Sequence, residues 1–326
     1  MLRVFAPLIL GAAILAGPGA AAFTFCPNGT AAATCLVKNE VIVLDGPVNV
    51  VSNASFIFIN SNITALPCTG DPCRESTVSL TSLFGNITFV NSSLTAAVVS
   101  FEAVQVSIDN ASLISASGRG PPMTTTPFAD GIFGTGGGHG GSGAPIYLCR
   151  QGVAPDPTIR NGQGFGFGSL ADPASFGGAS AGFQDFNDEI KEISRGGGKV
   201  SLTAVESVSL AGRIEVDGAS GLSDTVHCLG NCRGSCGCGP GGGAGGSVLL
   251  FAPLISIAEQ GFISAVGGGS EDSGGGGGGV IAFVGALVRG ASSVRGKGGG
   301  CLRAVCSYAL PSIPSLLLPH CRTRST

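Results

Sequence analysis

Three segments, FIFINSNITAL (Phe56–Leu66), ITFVNSSLTAA (Ile87–Ala97) and VSIDNASLISA (Val106–Ala116), decide how this chain is read. Each has apolar residues at alternate positions, then an asparagine, then a second apolar patch. Period-two alternation makes each arm a strand with one buried face. The shared asparagines, Asn60, Asn91 and Asn110, stand where a sharp bend needs a residue that tolerates the left-handed backbone conformation. The unit is strand, corner, strand. If these asparagines form an inward ladder, Asn91 and Asn110 carry no glycan, because a buried amide has no room for one.

The unit returns in glycine-rich form as VSLAGRIEVDG from Val208 and ISIAEQGFISAVGG from Ile255. There Gly212 and Gly261 stand near the corner, where a positive φ is expected. VIAFVGALVRG from Val280 reads as a more degenerate copy. Asn91 and Asn110 are 19 residues apart, and other spacings are longer, with inserted loops. Short strands recurring at this interval, joined by corners rather than helices, predict an all-β chain: a right-handed parallel β-helix (solenoid) with a long irregular Gly-rich insertion. An antiparallel sandwich or barrel would need hairpin turns between the repeats, and Asn28-Gly29 and Asn161-Gly162 both lie outside them. One unit alone cannot offset the entropy of ordering its own backbone, so the units must stack.

Of the 56 glycines, 49 lie between Gly118 and Gly300. Such a block can be a flexible linker. Here apolar arms interrupt it on schedule, as KVSLTAVESVSLAG, SVLLFAPLISIA and VIAFVGALV, so the glycines read as corners and tight loops between repeats. Residues 121–198 break the rhythm as a Gly/Pro/Phe-rich insertion, in which the acidic stretch FQDFNDEIKEI from Phe183 reads as one short helix. Residues 23–120 and 199–300 then hold the two sets of repeats. The tail, 301–326, contains neither glycine nor acid; it reads as the point where a longer protein is cut short or mistranslated, with a short cap as the alternative.

The N-terminus places Arg3 before an apolar run from Val4 to Leu15, then Gly17-Pro18 and the triplet Ala20-Ala21-Ala22. This is the pattern of a secretory signal, residues 1–22, cleaved after Ala22. The run is too short to span a bilayer, which takes about 20 residues, so no membrane span is expected after cleavage, and the chain is expected to be secreted or on the cell surface. Charged residues make up only 11% and the net charge is −3, which leaves no basic field for nucleic acid or an anionic membrane. The partners expected are an extracellular polysaccharide or a surface protein.

All 12 cysteines follow the predicted cleavage point, where an oxidising compartment favours pairing. Cys26 with Cys35 and Cys68 with Cys73 are natural local pairs. Cys228, Cys232, Cys236 and Cys238 beside His227 have spacings that could hold zinc, but disulfides take precedence in a secreted chain. Asn28, Asn53, Asn62, Asn86, Asn91 and Asn110 each open a glycosylation sequon.

The blocks GTGGGHGGSGA from Gly134, FGSLADPASFGGASAG, RGGGKVSLTAVESVSLAGRIEVDGASG, GPGGGAGGSVLLFAPL and GFISAVGGGSEDSGGGGGGVIAF carry a resemblance. Over roughly 98–284 their order resembles the large glycine-rich surface proteins of plants and oomycete-like protists, loosely labelled "ephrin receptor-like" or "tenascin-like". The resemblance implies a signal-bearing ectodomain of pectin-lyase-like β-helix character, ahead of cysteine-rich modules and membrane spans. It carries over no catalytic residues.

No complete catalytic constellation stands in the sequence. GASSVRGKGGG from Gly290 departs from the phosphate-loop spacing, and GFGFGSL from Gly164 opens no helix after a strand. The Gly138-His139-Gly140 triplet resembles one in polygalacturonases, yet the paired aspartates such hydrolysis needs are missing. Asp188 and Glu189, with Glu192, could supply carboxylates to His139, though an exposed acidic helix face is the plainer reading. A lyase would draw on Asp217, Asp224 and Arg213, ordinary charges for an outer face. The expectation is a non-catalytic structural, adhesion or recognition ectodomain without a cofactor or metal; a pectin-active lyase or hydrolase is the alternative.

Overall fold

The computed structural model describes residues 3–4, 34–69, 73–122, 137–140, 173, 175–180, 183–184, 190–191, 194–221, 241–269, 275–290 and 294–295. The chain is all-β; the strands of its two large sheets pair in parallel, except Arg3–Val4, which pairs antiparallel with Val41–Leu44. Among the described residues there is no α-helix, and the one helical element is a 3-10 turn at Arg74–Ser76. No helix among them is long and apolar enough to cross a membrane.

Cys35–Lys38 and Val41–Leu44 open the stack, pairing in parallel with Phe56–Ile59 and Asn62–Ala65, and from Val48 onward each repeat holds three strands rather than the two arms read from sequence. Val48–Ser52, Phe56–Ile59 and Asn62–Ala65 form one set, and Thr77–Ser82, Asn86–Val90 and Ser93–Thr95 form the next. Every strand of the first set pairs in parallel with its counterpart in the second. In the third and fourth sets the first two strands fuse into Val98–Ile108 and Lys199–Leu210. These two pair with each other from Val98↔Lys199 to Ile108↔Leu210, with a register shift between Ala103 and Gln105. Ser247–Phe251, Leu254–Ile257 and Phe262–Ser264 continue the stack, followed by Val280–Val284, Leu287–Arg289 and Val294–Arg295. Alternation along the strands sends Phe56, Phe58, Ile87, Phe89, Val99, Phe101, Leu202 and Leu250 into one continuous core. Within it the rings of Phe58 and Phe89 stack at 4.5 Å and those of Phe89 and Phe101 at 5.4 Å.

A polar ladder fixes the corner after each second strand. Asn39, Asn60 and Asn91 have φ of 57°, 51° and 46°. The Asn60 amide donates to Asn39 Oδ1 at 3.0 Å, and the Asn91 amide to Asn60 Oδ1 at 2.9 Å. Beneath it runs a buried serine ladder: Ser61 N–H donates to Ser92 Oγ, and Ser92 N–H to Ser112 Oγ, each at 3.0 Å. The expected inward ladder through Asn110 is corrected on two counts. The asparagines face outward, and the last place belongs to Asp109, whose carboxylate accepts the Asn91 N–H. Pairing of Phe89 with Ile108 and Ser93 with Leu113 makes this corner one residue longer, which moves Asn110 off the ladder.

Gly212 and Gly261 are corrected as well, since neither has a positive φ. A Cβ on Gly212 would lie 2.2 Å from the Asp109 carbonyl oxygen, and one on Gly261 2.4 Å from that of Leu210. Close approach of the next corner, not backbone handedness, is what excludes a side chain there.

The glycine runs are likewise not simple corners. Segments 137–140, 175–180, 194–198, 216–221, 241–246, 265–269 and 275–279 lie side by side, bonded through their backbones. The segment 241–246 touches six others: Gly243, Ala244 and Gly245 donate to Ala219, Gly178 and Gly277, while Gly242, Gly243 and Ala244 accept from Gly137, Gly268 and Gly197. Successive residues point to different neighbours, and every third points to the same one. Gly243 and Gly246 both bond segment 216–221, Gly177 and Ser180 both bond 194–198, and Gly276 and Gly279 both bond 265–269. A period of three is that of the extended threefold helix, neither the two of a strand nor the 3.6 of an α-helix. A threefold helix has no internal hydrogen bonds, so its amides are satisfied only by packing against others. Of the 121–198 insertion, the described segments 137–140, 175–180 and 194–198 belong to this bundle.

FQDFNDEIKEI does not begin or end as a helix: Phe183–Gln184 pairs antiparallel with Ile190–Lys191.

The bundle makes a sharp prediction. A Cβ on Gly246 would lie 1.9 Å from the Gly198 carbonyl oxygen and one on Gly197 1.9 Å from that of Val216, whereas Gly269 has nothing within 4 Å. In urea unfolding, Gly246→Ala and Gly197→Ala each lose about 3 kcal/mol or more, because backbone rather than a side chain must move. Gly269→Ala stays within about 0.5 kcal/mol of the natural chain.

Candidate functional site

His139, the histidine of the polygalacturonase-like triplet, sits inside the glycine bundle and is 0% exposed. Its segment is held by Gly137 donating to Gly242 and by Gly178 donating to Gly138. Nδ1 lies 2.7 Å from the Gly245 carbonyl oxygen. A carbonyl only accepts, so Nδ1 carries the proton and Nε2 is the bare nitrogen. Nε2 lies 3.4 Å from Ser247 Oγ, whose hydroxyl donates to the Ser175 carbonyl at 2.7 Å. Desolvation pushes the imidazole pKa below its ordinary value, opposed by hydrogen bonds with the backbone of Gly245 and Gly246. The ring is thus held neutral, tying the bundle to the first residue of strand Ser247–Phe251.

Asp188, Glu189 and Glu192 lie outside the described residues. Asp217 Oδ1 accepts from Ser264 Oγ and from the Val266 N–H at 2.7 Å, which makes it a turn-fixing group. Arg213 pairs with Glu215 on the outer face and stacks over the Phe262 ring; Asp224 lies outside the described residues. Among those residues no three of His, Cys, Asp and Glu gather closely enough to hold a metal ion.

Cys68 and Cys73 are joined in a disulfide with a Cα–Cα distance of 4.9 Å. Cys35 is disulfide-bonded too, while Cys26, Cys228, Cys232, Cys236 and Cys238 lie outside the described residues. Of the sequon asparagines, Asn53, Asn62, Asn91 and Asn110 are exposed, Asn86 is half-buried and Asn28 lies outside. Asn62 Oδ1 accepts from Ser93 Oγ at 2.8 Å, leaving its amide nitrogen turned outward. The partners of His139 were not foreseeable from the sequence, because Gly245 is 106 residues away and offers only a backbone oxygen.

No family model, no curated protein and no solved structure matches the chain.

The buried histidine sets a pH dependence. With its pKa lowered by folding, the unfolded chain binds the extra proton first, so stability is complete above about pH 6.5 and falls as the pH drops through and below that value. Thermal unfolding between pH 7.5 and 5.5 should therefore show a Tm that declines on acidification, with a shallower decline in His139→Gln. Equal slopes in the two proteins would show that His139 is not the group responsible.

Proposed function

We propose that the chain is a right-handed parallel β-helix ectodomain, secreted or held at the cell surface, with a structural, adhesive or recognition role and no catalytic one. Three parallel strands per repeat, each bonded to its counterpart in the next, support the solenoid reading. Its right hand follows from the preference of parallel crossover connections. The signal pattern of residues 1–22, the sequons and the Cys68–Cys73 disulfide support an extracellular setting. The order of glycine-rich blocks supports kinship with the plant and protist surface proteins they resemble.

The observation that carries the non-catalytic reading is the seat of His139, fully buried and spent on a backbone carbonyl. A general base must reach the proton it takes, and this ring is turned to the backbone of Gly245 and Gly246 and to the Ser247 hydroxyl. The recognition role then falls to the outer faces and the loops, where stacked repeats present side chains at regular intervals.

The test is to express the full chain through a secretory pathway and incubate the purified product with polygalacturonate and related wall polymers. The expected outcome is secretion with residues 1–22 removed, glycan on the exposed Asn62, and no new reducing ends or unsaturated products. Cleavage of any polymer that persists in His139→Gln would establish the hydrolase or lyase reading with other residues. Cleavage abolished by that substitution would show that His139 opens to substrate.

A further inference from the structure

The rim of the glycine bundle beside the Cys68–Cys73 loop gathers positive charge in a chain that has little of it. Arg119 donates through Nη1 to the Ala65 carbonyl at 3.0 Å, and Arg195 through Nη1 to the Cys68 carbonyl at 2.5 Å. These two carbonyls are three residues apart on one short connection. The backbones behind the arginines are tied as well, since Gly120 N–H donates to the Gly196 carbonyl at 2.8 Å. Two guanidinium groups are thus aimed at the same loop from adjacent segments. Phe176 packs against Cys68 and Cys73, and Lys199 Nζ lies 4.3 Å over its ring, adding a third cation to the neighbourhood.

Such a pair is costly unless something offsets it. Burial and the charge of Arg195 together depress the pKa of Arg119, so the charge that dominates its surroundings is of its own sign. Among the described residues neither arginine has a carboxylate partner. Each guanidinium carries five N–H donors in a fixed fork, and one carbonyl bond apiece leaves most of them available. Two forks converging from neighbouring segments match the planar or tetrahedral oxygens of a carboxylate or sulfate, which accept paired, charge-assisted hydrogen bonds.

We propose that Arg119 and Arg195 form an oxyanion-binding site at the bundle rim, whose occupant is the carboxylate or sulfate group of an acidic polysaccharide. The oxyanion site stands on the arginine geometry alone; the polysaccharide rests on the recognition role proposed above. Loss of one charge-assisted contact weakens binding about tenfold.

The experiment uses the full secreted chain. Thermal shifts are recorded with sodium sulfate against sodium chloride at equal ionic strength, and binding of a polygalacturonate oligomer is measured by calorimetry. A rise in Tm with sulfate over chloride, weakened about tenfold in both R119Q and R195Q, is expected. Calorimetric binding of the oligomer should be weakened to the same degree. R119K and R195K keep the charge but lose the fork, and an intermediate response from them is expected even if the glutamine variants fail to fold. A sulfate response without oligomer binding would uphold the site for a free anion and overturn the polysaccharide. No sulfate response, or one unchanged in all four variants, would overturn the site itself. Asp71 belongs to the same loop but lies outside the described residues; a D71N variant that binds sulfate about tenfold more tightly would overturn the proposal by revealing Asp71 as the resident counterion.

Discussion

The rest of this structure depends on backbone meeting backbone in the glycine bundle with no side chain between. Segment 241–246 bonds six neighbours, and a Cβ on Gly242, Gly243, Gly245 or Gly246 would lie 1.9 to 2.3 Å from a carbonyl oxygen. A threefold helix surrounded on nearly every side has little room for side chains, and in this segment only Ala244 carries one. That is why Gly241-Gly242-Gly243 and Gly245-Gly246 come as runs. Where a segment reaches the edge, side chains return with the same period: in Val216–Gly221 the glycines stand at 218 and 221. The bundle then sets the entry to three first strands, since Lys199, Ser247 and Val280 donate to Ala97, Gly198 and Gly246 respectively. Register in the sheets and packing in the bundle are one constraint.

The two ends of the stack solve the corner differently. From Asn39 to Asn91 the corner holds a positive φ, which asparagine tolerates, and the amides bond one another along the stack. Asp109 ends that ladder, because a carboxylate accepts but cannot donate onward. Above it the next corner comes so close that a Cβ on Gly212 would strike both the Asp109 and the Ser112 carbonyls. Glycine thus replaces asparagine for a steric reason where the amide chain runs out.

Much of the stack was legible from residues. FIFINSNITAL, ITFVNSSLTAA and VSIDNASLISA carry the period of two and the corner in plain view, and their alignment anticipates the pairing of Phe56 with Ile87 and of Ile87 with Val106. The first strand of each set was harder to see: VNVVS and TVSLTS are short, and in Val98–Ile108 the corner before the second strand is reduced to a register shift. Asn110 misled because a one-residue insertion is invisible without the partner strand. The bundle was illegible for a deeper reason. Its period of three belongs to hydrogen-bond directions, not residue types, so a segment of almost pure glycine carries no pattern. The seat of His139 was hidden likewise, as its partner is a peptide oxygen that any residue would supply.

The bundle also decides where recognition can happen. A lattice of peptide groups satisfied by one another has no spare donors inside, and desolvation makes any charge there expensive. The side chains that enter it obey this: Ala244 is apolar, and His139 is held neutral by burial and by the Gly245 carbonyl. Charge is pushed to the rim, where the lattice stops and the carbonyls of Ala65 and Cys68 accept from Arg119 and Arg195. Arginine suits that boundary, because one arm of its fork caps a carbonyl while the others remain turned to solvent. The same exclusion that leaves His139 neutral and buried leaves Arg119, Arg195 and Lys199 at the boundary where the glycines end.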